Sequence, residues 1–446
     1  MRKEGLPEIF INSFARYYDE LVTGHTGLIR EADILPVSDV PNMELFSIHL
    51  EELGRASLNK TAVIKLNGGL GTSMGLERAK SLLQVKQNYT FLDIIALQAV
   101  AAGVPLILMN SFATDADSLA VLVRHPEMHY ELPLTFVQHK EPKITVSDFS
   151  PASWPQNPDL EWCPPGHGDI YTALITRGTL GALLEGGFEY AFVSNADNLG
   201  AVLDLSLLGY FAEKELPFMM EVADRTEIDK KGGHLALRKR DSQFILRESA
   251  QCADEDMDAF QDIAKHKYFN TNNLWINLKK MRQVMTERKN QLGLPMIRNR
   301  KTVDPRDGSS TPVFQLETAM GSAIGVFEGA QAVRVPRSRF APVKTTNDLL
   351  AVRSDAYSLS KDFRVRPNPE RSSSPPIVDL DAKFYKFVSD FDSRFVQGVP
   401  SLLQCDRLRI VGDFRFEKDV ICHGSIELFN HSDRQNVIPE GTVLQG

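Results

Sequence analysis

The run Thr61-Ala62-Val63-Ile64-Lys65-Leu66, leading into Asn67-Gly68-Gly69-Leu70-Gly71-Thr72-Ser73-Met74-Gly75, constrains this chain more than any other stretch. Its first half is short and apolar, the pattern of a buried strand. Its second half holds four glycines in the eight residues 68–75. Each glycine costs conformational entropy that an ordinary turn has no need to lose. Backbone without Cβ atoms can bring successive N–H groups close to a ligand, and such a row makes a nest for phosphate oxygens. Lys80 follows within reach of the same oxygens. The unit expected here is a strand, a phosphate loop and a basic partner. It is not a P-loop, which closes on Gly-Lys-Ser/Thr. It fits a Rossmann fingerprint poorly, because Met74 stands where the third glycine belongs.

From Thr61 onward strands alternate with helices. Residues Phe91 to Ala102 read as a helix ending at Gly103, and Val104 to Met109 as a buried strand. Asp115 to Arg124 reads as a second helix and Leu134 to Gln138 as a third strand. That rhythm predicts an α/β domain with a largely parallel sheet. Ligands of such sheets sit beyond the carboxyl ends of the strands, and the remaining polar signals fall at such ends.

Gln138-His139-Lys140 leaves the third strand, either as a polar strand exit or as part of a site. In Trp162-Cys163-Pro164-Pro165-Gly166-His167-Gly168-Asp169, two prolines and two glycines fix a rigid loop. His167 could donate from it to a phosphate or sugar oxygen, and Asp169 could cap the helix from Ile170. The apolar run Tyr190 to Val193 delivers Asn195 and Asp197, which point the same way on an extended chain. An aspartate facing a phosphate loop is a natural Mg2+ ligand, since Mg2+ takes carboxylate, phosphate oxygens and water. Lys231-Gly232-Gly233-His234 breaks the chain before a hairpin of Leu235–Arg238 and Phe244–Glu248. Asn270, Asn272 and Asn273 precede an apolar strand at Leu274 to Leu278, and their amides suit sugar hydroxyls. Glu317 is a further hydroxyl acceptor. The run Arg298 to Gly308 has no periodicity and reads as a mobile loop. Arg334 to Leu349 is a proline-braced basic segment before a capped helix, with Lys344 in it.

The composition excludes some classes. The 446 residues are 43% hydrophobic and 24% charged, ordinary globular values that suggest two or three domains. Net charge is −8, from 50 basic and 58 acidic residues, which argues against a nucleic-acid or membrane surface. Cys163, Cys252, Cys405 and Cys422 are far apart, as in reduced thiols of a cytosolic protein. Residues Met1 to Gly5 carry no apolar leader. The longest apolar stretch, Phe91 to Met109, is interrupted by Asp93, Gln98, Gly103 and Pro105, so it is no membrane span. Phe10, Phe14, Tyr17, Tyr18 and Leu21 mark an amphipathic helix, expected to be a packing cover.

The Pro- and Ser-rich stretch Arg364 to Pro376 reads as a connector. Beyond it Leu402, Leu408, Phe414, Val420 and Ile426 recur every six residues, and Ile438 and Leu444 resume the series. That period marks a parallel β-helix. Acyl transfer is the other role for such a repeat, but no histidine constellation lies beside it.

The run Leu66-Asn67-Gly68-Gly69-Leu70-Gly71-Thr72-x-Met74-Gly75, with Lys80-Ser81 after it, resembles the signature of the UTP–glucose-1-phosphate uridylyltransferase family. The version is that of eukaryotic enzymes and some bacterial ones, and the likeness covers nearly the whole chain. Ala79 departs from the proline usual before the lysine, which puts little chemistry in doubt. The resemblance implies an α/β nucleotidyltransferase fold, with a Rossmann-like, GT-A-like mixed sheet and a C-terminal left-handed parallel β-helix. Its boundaries would be 1–55 for an N-terminal helical segment, 56–363 for the catalytic domain, 364–378 for a linker and 379–446 for the β-helix.

It implies UTP and glucose 1-phosphate as substrates, Mg2+ as cofactor, a cytoplasmic setting and possible homo-oligomers through the β-helix. Lys80 and Lys344 would be catalytic, with Lys344 on the UTP phosphates. Leu66, Asn67, Gly68, Gly69, Gln138, Gly166 and Asn195 would bind the nucleotide, Gly166 at the uracil. His167, Asn195, Asp197, Gly233, Asn270, Asn272 and Glu317 would bind the sugar phosphate, with Asp197 also on the metal. A UDP-sugar or UDP-N-acetylhexosamine pyrophosphorylase stays open, although Ser73 stands where the hexosamine branch carries arginine. A non-catalytic nucleotide-sugar scaffold also stays open, against the joint presence of Lys80, Asp197 and Lys344.

Overall fold

The computed structural model describes residues 1–128, 131–372 and 374–446. Its centre is a mixed ten-stranded sheet. Thr61–Asn67 lies in the middle, parallel to Tyr190–Asn195 on one side and to Leu106–Asn110 on the other. Thr135–Val137 extends the parallel part beyond Leu106–Asn110. On the far side of Tyr190–Asn195 runs the long antiparallel strand Tyr268–Asn277. It also pairs with Phe218–Asp224 and touches the hairpin strand His234–Arg238.

Both faces of the central strands are covered, which is why they read as unbroken apolar runs. Val63, Leu106, Leu108, Phe192 and Trp275 point into one core. Their neighbours Ala62, Ile64, Ile107, Ala191, Val193 and Leu274 point into the other. Phe192 is fully buried, so Phe192→Ala would cost about 3–5 kcal/mol. The helix Phe91–Ala102 opens on a capping box, with Thr90 Oγ1 accepting from the Asp93 N–H and the Asp93 carboxylate accepting from the Thr90 N–H. A cap of this kind contributes about 1 kcal/mol. The helix ends at Gly103, as its sequence indicates. Asp115–Leu122 and Thr135–Val137 are slightly shorter than their patterns.

The N-terminal helix Glu8–Val22 buries Phe10, Phe14 and Leu21. Tyr17 and Tyr18 donate to the carbonyls of Leu294 and Phe149 at 3.1 and 2.9 Å, fixing the helix to the rest of the chain.

Two expectations are corrected. Arg298 to Gly308 is not simply a loop, because Ile297–Thr302 is a strand paired along its whole length with Pro312–Glu317. Its polar sequence hid it, since Arg298 packs its guanidinium on Phe314 at 5.1 Å instead of supplying an apolar residue. The strand expected at Leu274 already begins at Tyr268, so Asn270 and Asn272 lie within it. A register shift occurs opposite them, and Asn272 sits at φ 58°. This local irregularity reads in sequence as a turn.

The connector contains the strand Val365–Pro367, paired with Tyr357–Leu359; Ser373 lies outside the described residues. The C-terminal part has two small parallel sheets. One runs Ile377–Leu380, Ser401–Val411, Ile421–Phe429, Val443–Gln445, and the other pairs Phe414–Phe416 with Asn436–Ile438. Leu402, Leu408, Phe414, Val420 and Ile426 are all buried, while Ile438 and Leu444 are half-buried. A longer continuous solenoid is not present among the described residues. No helix of the described residues is long and apolar enough to cross a membrane.

Candidate active site

Four parallel strands end side by side. Leu66 is in register with Asn195, Asn67 with Asn110, and Asn110 with Val137. The segments that leave these ends enclose a cleft of about 320 Å³. Leu66, Asn67, Gly68, Gly69, Lys80, Gln138, Gly166, His167, Asn195 and Asp197 line it, together with Ser81, Met109, Pro164 and Ala196. The sequence motifs at 66–69, 80, 138, 166–167 and 195–197 therefore meet in one place.

The glycine loop is closed by the Lys80 N–H, which donates to Gly69 O at 3.1 Å. The Lys80 ammonium is 2.7 Å from Asp197 Oδ2, and both side chains are largely buried. The Gln138 amide lies against Gly68. A Cβ at that position would stand 2.8 Å from Gln138 Nε2, so the glycine makes room for the amide. Gly166 sits at φ 78°, and a Cβ there would meet Thr318 O at 2.5 Å and Glu317 Cβ at 3.0 Å. Only glycine fits this backbone, and Glu317 stands directly behind it.

His167 is held inside its loop. Its Nδ1 accepts from the Met320 N–H at 2.9 Å, so in the neutral ring the proton is on Nε2. Burial lowers its pKa to about 4. The residue offers the cleft a neutral N–H donor.

Other positions differ from expectation. The Asn67 side chain turns away and donates to Asn110 Oδ1 and Ser118 Oγ at 2.8 and 2.7 Å, leaving its backbone to line the cleft. Asp169 precedes the helix Ile170–Thr176 but makes no side-chain cap. Its carboxylate is taken by the backbone and ring of His139. Lys344 is exposed and outside the cleft lining, with its ammonium 5.7 Å from the Phe340 ring centre. The preceding Val343 N–H donates to Asp197 O at 3.1 Å, which anchors the Lys344 segment beside the site.

Gly233, Asn270 and Asn272 belong to a second group beyond the cleft lining. Asn270 Nδ2 donates to Asn272 Oδ1 at 2.7 Å, and the Asn270 N–H donates to Gly233 O at 3.3 Å. Glu248, placed by the sequence reading only at the end of the hairpin and not as a site residue, crowds Gly233, where a Cβ would collide with its Oε2. Burial raises the Glu248 pKa against the pull of the Lys344 charge.

A second omission is the buried support under the cleft. Lys65 Nζ donates to Ser194 Oγ and Ala201 O, both at 2.6 Å. Arg339 grips Glu221 with two bonds of 2.7 Å, and Trp275 and Asn273 donate to the same carboxylate. The one signal for this in the sequence is a lysine inside an otherwise apolar strand.

Among the described residues no three His, Cys, Asp or Glu side chains gather as a metal cage. Among the described residues Asp197 is the single carboxylate on the cleft lining. That donor set suits Mg2+ held by one carboxylate, substrate phosphates and water, and not a site built wholly from protein ligands.

The profile of the UTP--glucose-1-phosphate uridylyltransferase family matches residues 8–423. The chain belongs to that family. The barley (Hordeum vulgare) UTP--glucose-1-phosphate uridylyltransferase is 41% identical over 399 residues, covering 88% of this chain and 82% of the relative. The enzyme of that name from Saccharomyces cerevisiae is 39% identical over 414 residues, covering 91% and 81%. Among solved structures, a mutant UDP-glucose pyrophosphorylase from Leishmania major in complex with UDP-glucose superposes with a TM-score of 0.91. It is 44% identical, covering 100% of this chain and 96% of that one. The Trypanosoma brucei UDP-glucose phosphorylase gives 0.89 at 45% identity, with the same coverage. The α/β mixed-sheet fold is thus that of the uridylyltransferase family.

Proposed function

We propose that this chain catalyses UTP + glucose 1-phosphate ⇌ UDP-glucose + pyrophosphate. The observation that carries the reading is the convergence of the phosphate loop, Lys80, Gln138, the Gly166-His167 loop and Asp197 on one cleft at the strand ends. Family membership and the UDP-glucose complex of a close structural relative support it.

The attacking atom is a phosphate oxygen of the sugar phosphate. It bonds to the α-phosphorus of UTP as the bond to the bridging oxygen breaks, and pyrophosphate leaves opposite. That oxygen is already anionic near neutral pH, so neither an enzyme nucleophile nor a general base is required. Catalysis reduces to alignment and charge stabilisation. N–H groups of residues 66–69 would cradle the nucleotide. Gln138 and the Gly166 backbone would read the uracil edge, His167 Nε2–H would donate to the sugar phosphate, and Asn195 would contact both substrates. Gly233, Asn270, Asn272 and Glu317 would serve the sugar. Lys80 and Lys344 would meet the phosphate charge. Asp197 would hold Mg2+, which supplies charge stabilisation on the phosphates when bound.

We read residues 379–446 as a short left-handed β-helix, following 1–55, 56–363 and the 364–378 linker. Support comes from the six-residue spacing of buried side chains and the all-parallel pairing. Homo-oligomers through this part are proposed on the same basis. Deleting it should change the mass in light scattering, and an unchanged oligomer would refute that role. The four buried free thiols accord with a cytoplasmic setting.

The test of function is pyrophosphate release with UTP across a panel of sugar 1-phosphates. Glucose 1-phosphate should be fastest. Faster release with N-acetylglucosamine 1-phosphate would move the chain to the hexosamine branch, and no release with any sugar would support a binding scaffold.

A further inference from the structure

Gln138 and Gly166 come from separate segments, and a site that reads one base with both must fix the distance between them. His139 follows Gln138 directly, and Asp169 lies three residues beyond Gly166. Both side chains are sealed, at 0% and 1% exposure. The Asp169 carboxylate accepts from the His139 backbone N–H at 2.7 Å and from its Nδ1–H at 2.8 Å. The other ring nitrogen, Nε2, is 3.0 Å from Thr176 Oγ1 on the helix that follows the loop. Both ring nitrogens thus have a partner. Phe10 of the N-terminal helix lies flat on the imidazole, with centroids 4.2 Å apart and planes 12° apart. A carboxylate on two N–H donors is held in both distance and direction. Its strength in a dry setting depends on water being kept out.

We propose that His139 and Asp169 are positioning residues that set the spacing of the base-reading groups, with Phe10 as their seal. The inference rests on the reading that Gln138 and Gly166 face the base. It gives the N-terminal helix a part in nucleotide selection beyond covering the core. Neither His139 nor Asp169 lines the cleft, so both act only through the segments they join.

The test compares His139→Phe, His139→Asn, Phe10→Ala and Gln138→Ala. His139→Phe keeps a ring for Phe10 and removes both ring nitrogens. His139→Asn can return one N–H donor near the Nδ1 position. The readouts are kcat and KM with UTP and CTP, together with Tm. His139→Phe should narrow the UTP-over-CTP ratio of kcat/KM by about tenfold, mostly through the UTP KM, because displaced hydrogen-bonding groups discriminate poorly. Its kcat should stay within about threefold, since the reacting atoms are untouched. His139→Asn should recover much of the ratio even if its Tm is as low.

A ratio unchanged in His139→Phe while Gln138→Ala narrows it overturns the clamp and leaves the base reading standing. No change in either overturns both. If His139→Phe does not fold, His139→Asn and Phe10→Ala carry the test. A UTP-over-CTP ratio narrowed in Phe10→Ala and kept nearer wild type in His139→Asn then supports the clamp, and an intact ratio in Phe10→Ala overturns it.

Discussion

Replacing Lys65 with methionine probes the charge stored beneath the site. Lys65 is 2% exposed on the central strand. Burial, aided by the Arg339 charge and opposed by Glu221 and Asp197, lowers its pKa from 10.5 to about 7. The unfolded chain therefore holds this proton more tightly than the folded one. Below about pH 7 both states carry the charge, and the folded state bears the full penalty. As pH rises from there towards 10.5, the folded lysine is largely neutral and the unfolded one still charged, so stability climbs. A window of three to four pH units at about 1.4 kcal/mol each puts the whole swing on the order of 5 kcal/mol. Methionine fills similar space and does not titrate. Its loss of the bonds to Ser194 and Ala201 is a constant offset, so subtracting the two stability curves isolates Lys65. The assay is urea unfolding of both proteins from pH 6 to 10. The wild-type value minus that of Lys65→Met should be flat below about pH 6.5, then rise by roughly 1 kcal/mol per pH unit. Parallel curves through pH 10 would mean that the buried ammonium keeps its proton, and the burial argument would be wrong.

Other outcomes bear on the proposed chemistry. Asp197→Asn keeps the shape, loses the charge and releases Lys80, so turnover should fall by roughly 10²-fold or more; wild-type turnover at saturating Mg2+ would remove Asp197 from the mechanism. Lys344→Ala should lower kcat far more than it raises the UTP KM, since charge demand peaks as pyrophosphate leaves. A change in KM alone would make Lys344 a binding residue. Gly68→Ala places a methyl 2.8 Å from Gln138 Nε2. The amide can swing aside, so stability should fall by less than about 1.5 kcal/mol, while the UTP KM rises by about tenfold. An unchanged KM would show that the Gln138 amide does not touch the base.

Much of the site was legible because each part is local. A strand that ends in glycine, or in Asn195-Ala196-Asp197, announces its own carboxyl end, and parallel strands bring those ends together without further instruction. The six-residue series was legible for the same reason, as one repeated local event. What escaped depends on partners distant in sequence. Asp169 has the type and place of a helix cap, yet two donors on His139 outcompete the helix N–H groups. Ile297–Thr302 has no apolar face of its own, and its strand exists because Pro312–Glu317 supplies the pairing. Lys65 looks like a flaw in an apolar run until Ser194 and the Ala201 carbonyl are placed opposite it.

The charge on the cleft lining explains why the proposed reaction needs cations beyond Lys80. Among the described residues Lys80 and Asp197 are its two charged groups, and they are joined at 2.7 Å. His167 is neutral, with its pKa lowered to about 4. The remaining lining is apolar side chain, amide, hydroxyl or backbone, so the walls contribute close to no net charge. A nucleoside triphosphate and a sugar phosphate together bring several negative charges, and in a shielded cleft like charges repel far more than in water. Backbone N–H groups offset only part of this, as partial charges. Two sources of positive charge remain. One is a divalent ion on Asp197, which would free the Lys80 ammonium to turn to phosphate. The other is Lys344, exposed and one residue from the Val343 bond to Asp197 O. Among the described residues its ammonium makes no ion pair, and the Val343 bond tethers it beside Asp197, so it costs little to bring in. Its ammonium would add charge only once substrate has arrived.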